Sequence, residues 1–144
     1  MANVTVTGHC LCGGVRFSGE AAGPQVVACH CTMCQRQASG PLMVVDCLPG
    51  TLAIDGEANV TYYKASDLAR RGFCKVCGSA LFWRSTDGRF EAVSAGALDD
   101  KSSLTLAREV FIDEKPGYYG FANDTKRMTG AEYFASIAIA PKSD

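Results

Sequence analysis

A chain of 144 residues, 47% hydrophobic and 20% charged, carries enough apolar material for a real core, which excludes wholesale disorder. Its formal net charge of −1, with lysines and arginines spread along the chain, provides no basic footprint for nucleic acid or an anionic membrane. The opening residues show neither a basic leader nor an apolar signal region, and no segment approaches the roughly 20 apolar residues that span a bilayer; the expectation is a soluble, cytoplasmic protein with a single domain over 1–144.

Short segments of β character dominate the first two thirds of the chain. Residues 4–7 alternate, Gly8 interrupts them, Cys10-Leu11-Cys12 runs into Gly13-Gly14, and residues 15–19 alternate again, which predicts a hairpin with both cysteines beside its tip. In an extended strand, residues two apart share a face, so the sulfurs of Cys10 and Cys12 would aim at one point. After a turn at Ala22-Gly23-Pro24, a short strand over 26–28 leads straight into Cys29-His30-Cys31-Thr32-Met33-Cys34. Residues 35–39 suit one or two helical turns before Gly40-Pro41 stops them. The N–H groups of Thr32 to Gln35 then lie near a helix N-terminus, where they favour ionised sulfur.

Further strands are predicted over 42–48, 51–54 and 59–64, punctuated by Pro49-Gly50 and Asp55-Gly56. Residues 66–71 read as a polar connection, and Gly72-Phe73-Cys74-Lys75-Val76-Cys77-Gly78 has the pattern of a metal knuckle, with Gly78 free to take the positive φ of its turn. Strands follow over 80–84, 90–94 and 107–112. Near the end, Thr129-Gly130-Ala131-Glu132 is a capping box that opens a short helix through 133–137, and the tail 141–144 is expected to fray.

The chemistry lies in the cysteines. Seven of the eight fall into a triple, Cys29, Cys31 and Cys34, and two tight pairs, Cys10/Cys12 and Cys74/Cys77. In a reducing compartment clustered thiols serve as metal ligands or catalytic groups more often than as disulfides, and soft thiolates at such spacings suit zinc. The two pairs would form one closed four-thiolate structural site, and the triple a second site with three protein sulfurs and room for an exchangeable ligand. His30 lies between two ligand candidates and would face away from their metal; Cys47 reads as core, and His9 as a residue outside the ligand set. Arg36, Gln37, Arg70 and Arg71 are the candidates for holding a substrate carboxylate, Arg36 and Arg70 foremost. Tyr118, Tyr119 and Phe121 could wall a pocket, pack in the core or serve a homodimer interface, and Trp83 reads as core.

Three stretches, Cys10-x-Cys12-Gly13-Gly14-Val15-x-Phe17, Cys29-x-Cys31-x-x-Cys34-x-Arg36 and Arg71-x-Phe73-Cys74-x-x-Cys77-Gly78-Ser79, resemble the glutathione-dependent formaldehyde-activating family, which includes centromere-protein-V-like members. The resemblance runs from about residue 8 to 113, leaving 114–144 as a C-terminal extension. It implies a mainly β fold of the Mss4-like type, a structural zinc on Cys10, Cys12, Cys74 and Cys77, and a catalytic zinc on Cys29, Cys31 and Cys34, two per chain. It further implies a carbon–sulfur lyase-type reaction, with glutathione and formaldehyde giving S-hydroxymethylglutathione. Two other readings remain at this point: a zinc-stabilised binding module with both sites structural, and a thiol redox or metal-buffering protein.

Overall fold

The computed structural model describes residues 3–139 and is mainly β, with eleven strands, two α-helices and three 3-10 turns among them. The chain gathers into two compact units, one of the described residues up to 26 together with 43–105, the other of residues 27–42 and those from 106 onward.

In the first unit, β1 (Val4–His9) and β2 (Arg16–Ala21) form the predicted antiparallel hairpin, with Val4 opposite Ala21 and His9 opposite Arg16. Their alternation buries Val6 and Phe17 while the intervening residues meet solvent. β2 also pairs with β5 (Ala53–Asp55) and, at Ala21, with β4 (Leu42–Cys47). A run of antiparallel neighbours continues from β4 through β9 (Glu91–Ser94), β8 (Ala80–Ser85) and β7 (Ala69–Cys74) to β6 (Val60–Lys64). Its core holds Val15, Val45, Leu81 and Val93, all fully buried, and an edge-to-face contact between Phe17 and Phe82 at 5.3 Å. Trp83, expected in the core, is only half-buried.

The expected polar connection over 66–71 is a strand from Ala69 onward. β7 pairs along both edges, Arg71 lying opposite Tyr63 of β6 and Trp83 of β8. Paired on both sides, β7 buries Ala69 and Arg71, so a sequence rich in arginine still belongs to the sheet. The consequence for the site is direct: β7 ends on Cys74, the first sulfur of the knuckle.

The second unit contains β3 (Gln25–Cys29) and β10 (Thr105–Val110) apart from their first residues, β11 (Lys126–Arg127), α1 (Thr32–Ala38) and α2 (Gly130–Ile139). Its strand order is β11-β10-β3, with Arg108 opposite Lys126 in the parallel pair β10/β11. α1 begins three residues before the helical turns predicted over 35–39 and is ended by Ser39 in the left-handed conformation ahead of Gly40-Pro41. The capping box forms as expected: Thr129 N–H donates to Glu132 Oε1 at 2.8 Å, and Glu132 N–H to Thr129 Oγ1 at 3.1 Å. The tail 141–144 lies outside the described residues.

Leu81 has no exposed surface, so Leu81→Ala removes buried contacts that the sheet cannot fully close over. It should cost about 3 kcal/mol, read from the shift of the urea unfolding midpoint.

Candidate metal centre

The sulfurs of Cys10, Cys12, Cys74 and Cys77 lie within 4.8 Å of one another, all in the first unit. Cys10 and Cys12 stand 3.6 Å apart, and Cys12 and Cys74 3.8 Å. A tetrahedral site with metal–sulfur bonds of about 2.3 Å places its sulfurs about 3.8 Å apart, so this set fits a four-coordinate ion without rearrangement. The expected extended geometry at Cys10 and Cys12 is instead a turn. Gly13 N–H donates to Cys10 O at 3.0 Å with φ +77°, and the chain then presents Val15 N–H to Cys10 Sγ at 3.3 Å and Gly14 N–H to Cys12 Sγ at 3.4 Å. A turn wins because an extended strand would spend those N–H groups on a neighbouring strand and leave none for sulfur. Cys74 and Cys77 close the second half: Gly78, at φ +79°, donates to Cys74 O at 2.7 Å. The hydroxyl and then the backbone N–H of Ser79 hold the Cys77 thiol down to about 5. Around Cys12, Gly14 N–H lowers the thiol, but the adjoining sulfurs, Cys10 first, push it up to about 11. Four sulfurs this close cannot all ionise alone, whereas a cation removes the conflict.

The second unit holds the other set. Cys29 ends β3, Cys31 is the N-cap of α1 and Cys34 lies in its first turn, with all three sulfurs within 4.8 Å of one another. Cys34 N–H points at Cys31 Sγ, 3.4 Å away, as expected of a helix N-terminus. Hydrogen bonds with Cys31 and Cys34, then burial, drive the Cys29 thiol far upward. The donor set is three soft sulfurs, partly or wholly buried, and a divalent thiophilic ion fits it. None of the eight cysteines is in a disulfide.

His30, between two of these sulfurs, has no exposed surface and commits both ring nitrogens elsewhere. Nε2 lies 2.8 Å from Glu109 Oε1 and Nδ1 2.5 Å from the Tyr119 hydroxyl. An ionised Glu109 only accepts, so Nε2 carries the proton and donates to it; in the neutral ring Nδ1 then accepts from Tyr119.

The model of a family described as glutathione-dependent formaldehyde-activating enzyme matches residues 5–114. The chain belongs to that family. It is 34% identical over 131 residues to a Schizosaccharomyces pombe protein described as an uncharacterized lyase, an alignment covering 90% of this chain and 95% of that protein. A crystal structure of a Rhodobacter sphaeroides protein shares the fold, with a TM-score of 0.57 at 22% identity over 65% of this chain and 87% of that one. Among the described residues, no helix is long and apolar enough to cross a membrane.

Within this family member, the seven cysteines come together as the four and the three that their spacing suggests. Cys47 belongs to neither set: it is buried in the first unit, where a Cβ on Gly19 would come within 3.0 Å of its sulfur, and burial pushes its thiol up to about 11. His9 accompanies the four-sulfur set without joining it, its Nδ1 lying 2.7 Å from Cys10 O and its Nε2 3.6 Å from Asp99. Arg36 is exposed in the last turn of α1, and Gln37 is exposed beside it. Arg70 lies in the first unit with its guanidinium 4.7 Å above the Tyr62 ring. Of the aromatic candidates, Tyr119 and Phe121 pack on His30, with ring centroids 5.5 and 5.7 Å away, while Tyr118 is largely exposed.

Sequence reasoning missed the residues that hold the triple in place. Glu109 is buried at the end of β10 and accepts from His30, from Thr125 Oγ1 at 2.6 Å and from Arg127 Nε at 3.3 Å. Gln35 Nε2 donates to His30 O at 2.8 Å and Glu114 O at 3.0 Å, and the Glu114 carboxylate accepts from Thr32 N–H at 2.9 Å. The signal that could have found Glu109 is its place in the strand predicted over 107–112, directly before the apolar Val110-Phe111-Ile112, since a carboxylate in a buried strand needs a partner.

Burial alone would raise Glu109, but hydrogen bonds from Thr125, His30 and Arg127 outweigh it and hold the carboxyl below its usual 4.5. A folded-state value below the unfolded one contributes stability above about pH 4.5 that is lost as the pH falls further. Glu109→Gln should therefore cost about 2 kcal/mol at pH 7, with the difference from wild type shrinking below about pH 4, in urea titrations at both pH values.

Proposed function

We propose that this protein is a zinc-dependent carbon–sulfur lyase-type enzyme that makes or breaks a thiol adduct of a small carbonyl compound, glutathione with formaldehyde being the pair its family description suggests. Cys10, Cys12, Cys74 and Cys77 would hold a structural zinc, and Cys29, Cys31 and Cys34 a catalytic one. The observation that carries the reading is His30: with both ring nitrogens engaged it cannot add a fourth protein donor, so the triple stays a set of three. A three-ligand set is what exchangeable sites use, whereas four sulfurs close a site. The lyase description of the S. pombe relative agrees with this assignment.

The reaction joins the thiol sulfur to the carbonyl carbon while the S–H proton passes to the carbonyl oxygen; the reverse breaks that C–S bond. Zinc at the triple would supply Lewis acidity, keeping a thiol ionised or polarising a carbonyl oxygen. The chain's own contribution is placement. β3 and the first turn of α1 bring the three sulfurs together, Cys34 N–H stabilises the Cys31 sulfur as an anion, and Glu109, His30 and Tyr119 fix the peptide between Cys29 and Cys31.

The assay is formaldehyde-dependent loss of free thiol with glutathione and other small thiols, using protein carrying two zinc equivalents. Turnover with at least one thiol is expected; none with any thiol, at full zinc content, would sink the enzyme reading in favour of a module with two structural sites. The two sets should also part on mutation. Cys74→Ser or Cys77→Ser should prevent stable folding, since a structural zinc contributes on the order of 10 kcal/mol, whereas Cys31→Ser should fold with one zinc and no turnover. Circular dichroism and metal analysis of the purified variants check both.

A further inference from the structure

Within the second unit, a cavity of about 320 Å³ is lined by Glu109, Ile112, Lys115, Gly120, Phe121 and Arg127. Its size is that of a small-molecule site. His30 and the cysteines of the triple are not among those residues, and His30 is fully buried, so the cavity stands as a site of its own. Four of the six lining residues belong to the segment from Lys115 to Arg127, which follows the 3-10 turn Ile112–Glu114 and ends on β11. The Arg127 side chain is 55% exposed, so ions in solution reach its guanidinium.

Two cations line this cavity against one carboxylate, and that carboxylate is already committed. Glu109 has one oxygen on His30 and the other on Thr125 and Arg127. The carboxylates next along the chain are committed as well: Asp113 accepts from Gly130 N–H at 2.8 Å and Glu114 from Thr32 N–H at 2.9 Å. Arg127 reaches Glu109 through Nε alone, and among the described residues its Nη groups make no hydrogen bond or ion pair. Lys115 is held over the face of Tyr119, its Nζ 4.7 Å from the ring centroid, and donates to the backbone carbonyl of Pro116 at 3.1 Å. An ammonium has three protons to donate and a guanidinium five, so both cations keep donors for a ligand.

We infer that Lys115 and Arg127 form a binding site for a phosphate-type dianion, and that the bound anion clamps the two ends of the segment 115–127 together. The two unmatched positive charges call for two negative ones. A tetrahedral oxyanion also has the right number of acceptors: two oxygens take paired hydrogen bonds from the Arg127 Nη groups while a third takes the Lys115 ammonium, a share that a lone carboxylate cannot supply. Tyr119 lies inside the clamped segment, beneath the Lys115 ammonium and on His30 Nδ1, so an anion in the cavity also steadies the hydroxyl that holds the metal loop. The inference does not depend on the reaction proposed for the triple.

The test titrates inorganic phosphate and glycerol phosphate into the zinc-loaded protein by calorimetry at about pH 8, where both are dianions, with acetate as the singly charged control. Saturable binding of at least one phosphate is expected with a Kd on the order of 1 mM or below, and acetate should bind about tenfold more weakly. Tighter binding of glycerol phosphate would identify an organic phosphomonoester as the ligand, and equal or weaker binding the inorganic ion. Lys115→Gln, which removes no hydrogen bond to Glu109 or His30, should weaken the better probe about tenfold. Arg127→Lys, whose single ammonium cannot serve Glu109 and the anion as a guanidinium does, should weaken it by a similar factor. Amide hydrogen exchange over residues 115–121 should slow in the wild-type protein at saturating phosphate and stay unchanged in Lys115→Gln. No saturable binding, acetate binding as tightly as phosphate, an affinity unchanged in Lys115→Gln (an adventitious ion only), or binding without slowed exchange would each overturn the clamp. None of these measurements involves a thiol, so their failure leaves the lyase reading standing, and failure of the thiol assay leaves the clamp standing.

Discussion

Ionised sulfurs repel, and this chain brings two groups of cysteine sulfurs together, each within 4.8 Å. Everything else about the site follows from that constraint. A set of neutral thiols would waste its donor capacity, and a set of bare thiolates would drive itself apart, so each group is stable as an anion cluster only around a cation. Hydrogen bonds with Cys31 and Cys34 displace Cys29 upward, and at Cys12 the lowering by Gly14 N–H is outweighed by the adjoining sulfurs, chiefly Cys10, so in each set one sulfur holds a proton on behalf of its neighbours.

The two units meet the constraint differently. In the first, two tight turns direct backbone N–H groups at sulfur, and the four-sulfur set is closed by residues drawn from β2's approach and from the end of β7. In the second, the sulfurs straddle a strand end and a helix start, and the peptide between them is pinned by side chains. His30 is the pin. A histidine between two cysteines would ordinarily be the first suspect for a ligand, yet its burial between Glu109 and Tyr119 gives both nitrogens better-placed partners than any metal on the sulfur side. The same glutamate accepts from Arg127 Nε, so the carboxylate that anchors the loop of Cys29 and Cys31 also ties β10 to β11.

One buried carboxylate therefore ties the stability of the second unit to the geometry of the sulfur triple. Glu109 has no exposed surface to speak of, and its charge is tolerated because donors reach both of its oxygens. Losing any one of them leaves that buried charge with fewer donors, and where the lost donor is His30 the loop carrying Cys29 and Cys31 loses its anchor.

Much of this is legible in the order of residues alone. The separation of seven cysteines into four and three depends on spacing over two or three residues, where the reach of the backbone alone brings sulfurs together; the capping box and the stop at Gly40-Pro41 are equally local, and all of them form as expected. Residues 66–71 mislead because a strand paired on both edges tolerates arginines that local composition assigns to solvent. The partners of His30 are invisible to local pattern, since Glu109 and Tyr119 lie 79 and 89 residues away and reach it only through the strand order β11-β10-β3 and the turn that follows. Local spacing determines which atoms can converge on an ion; which side chains stand behind them depends on contacts that only the folded chain brings within hydrogen-bonding distance.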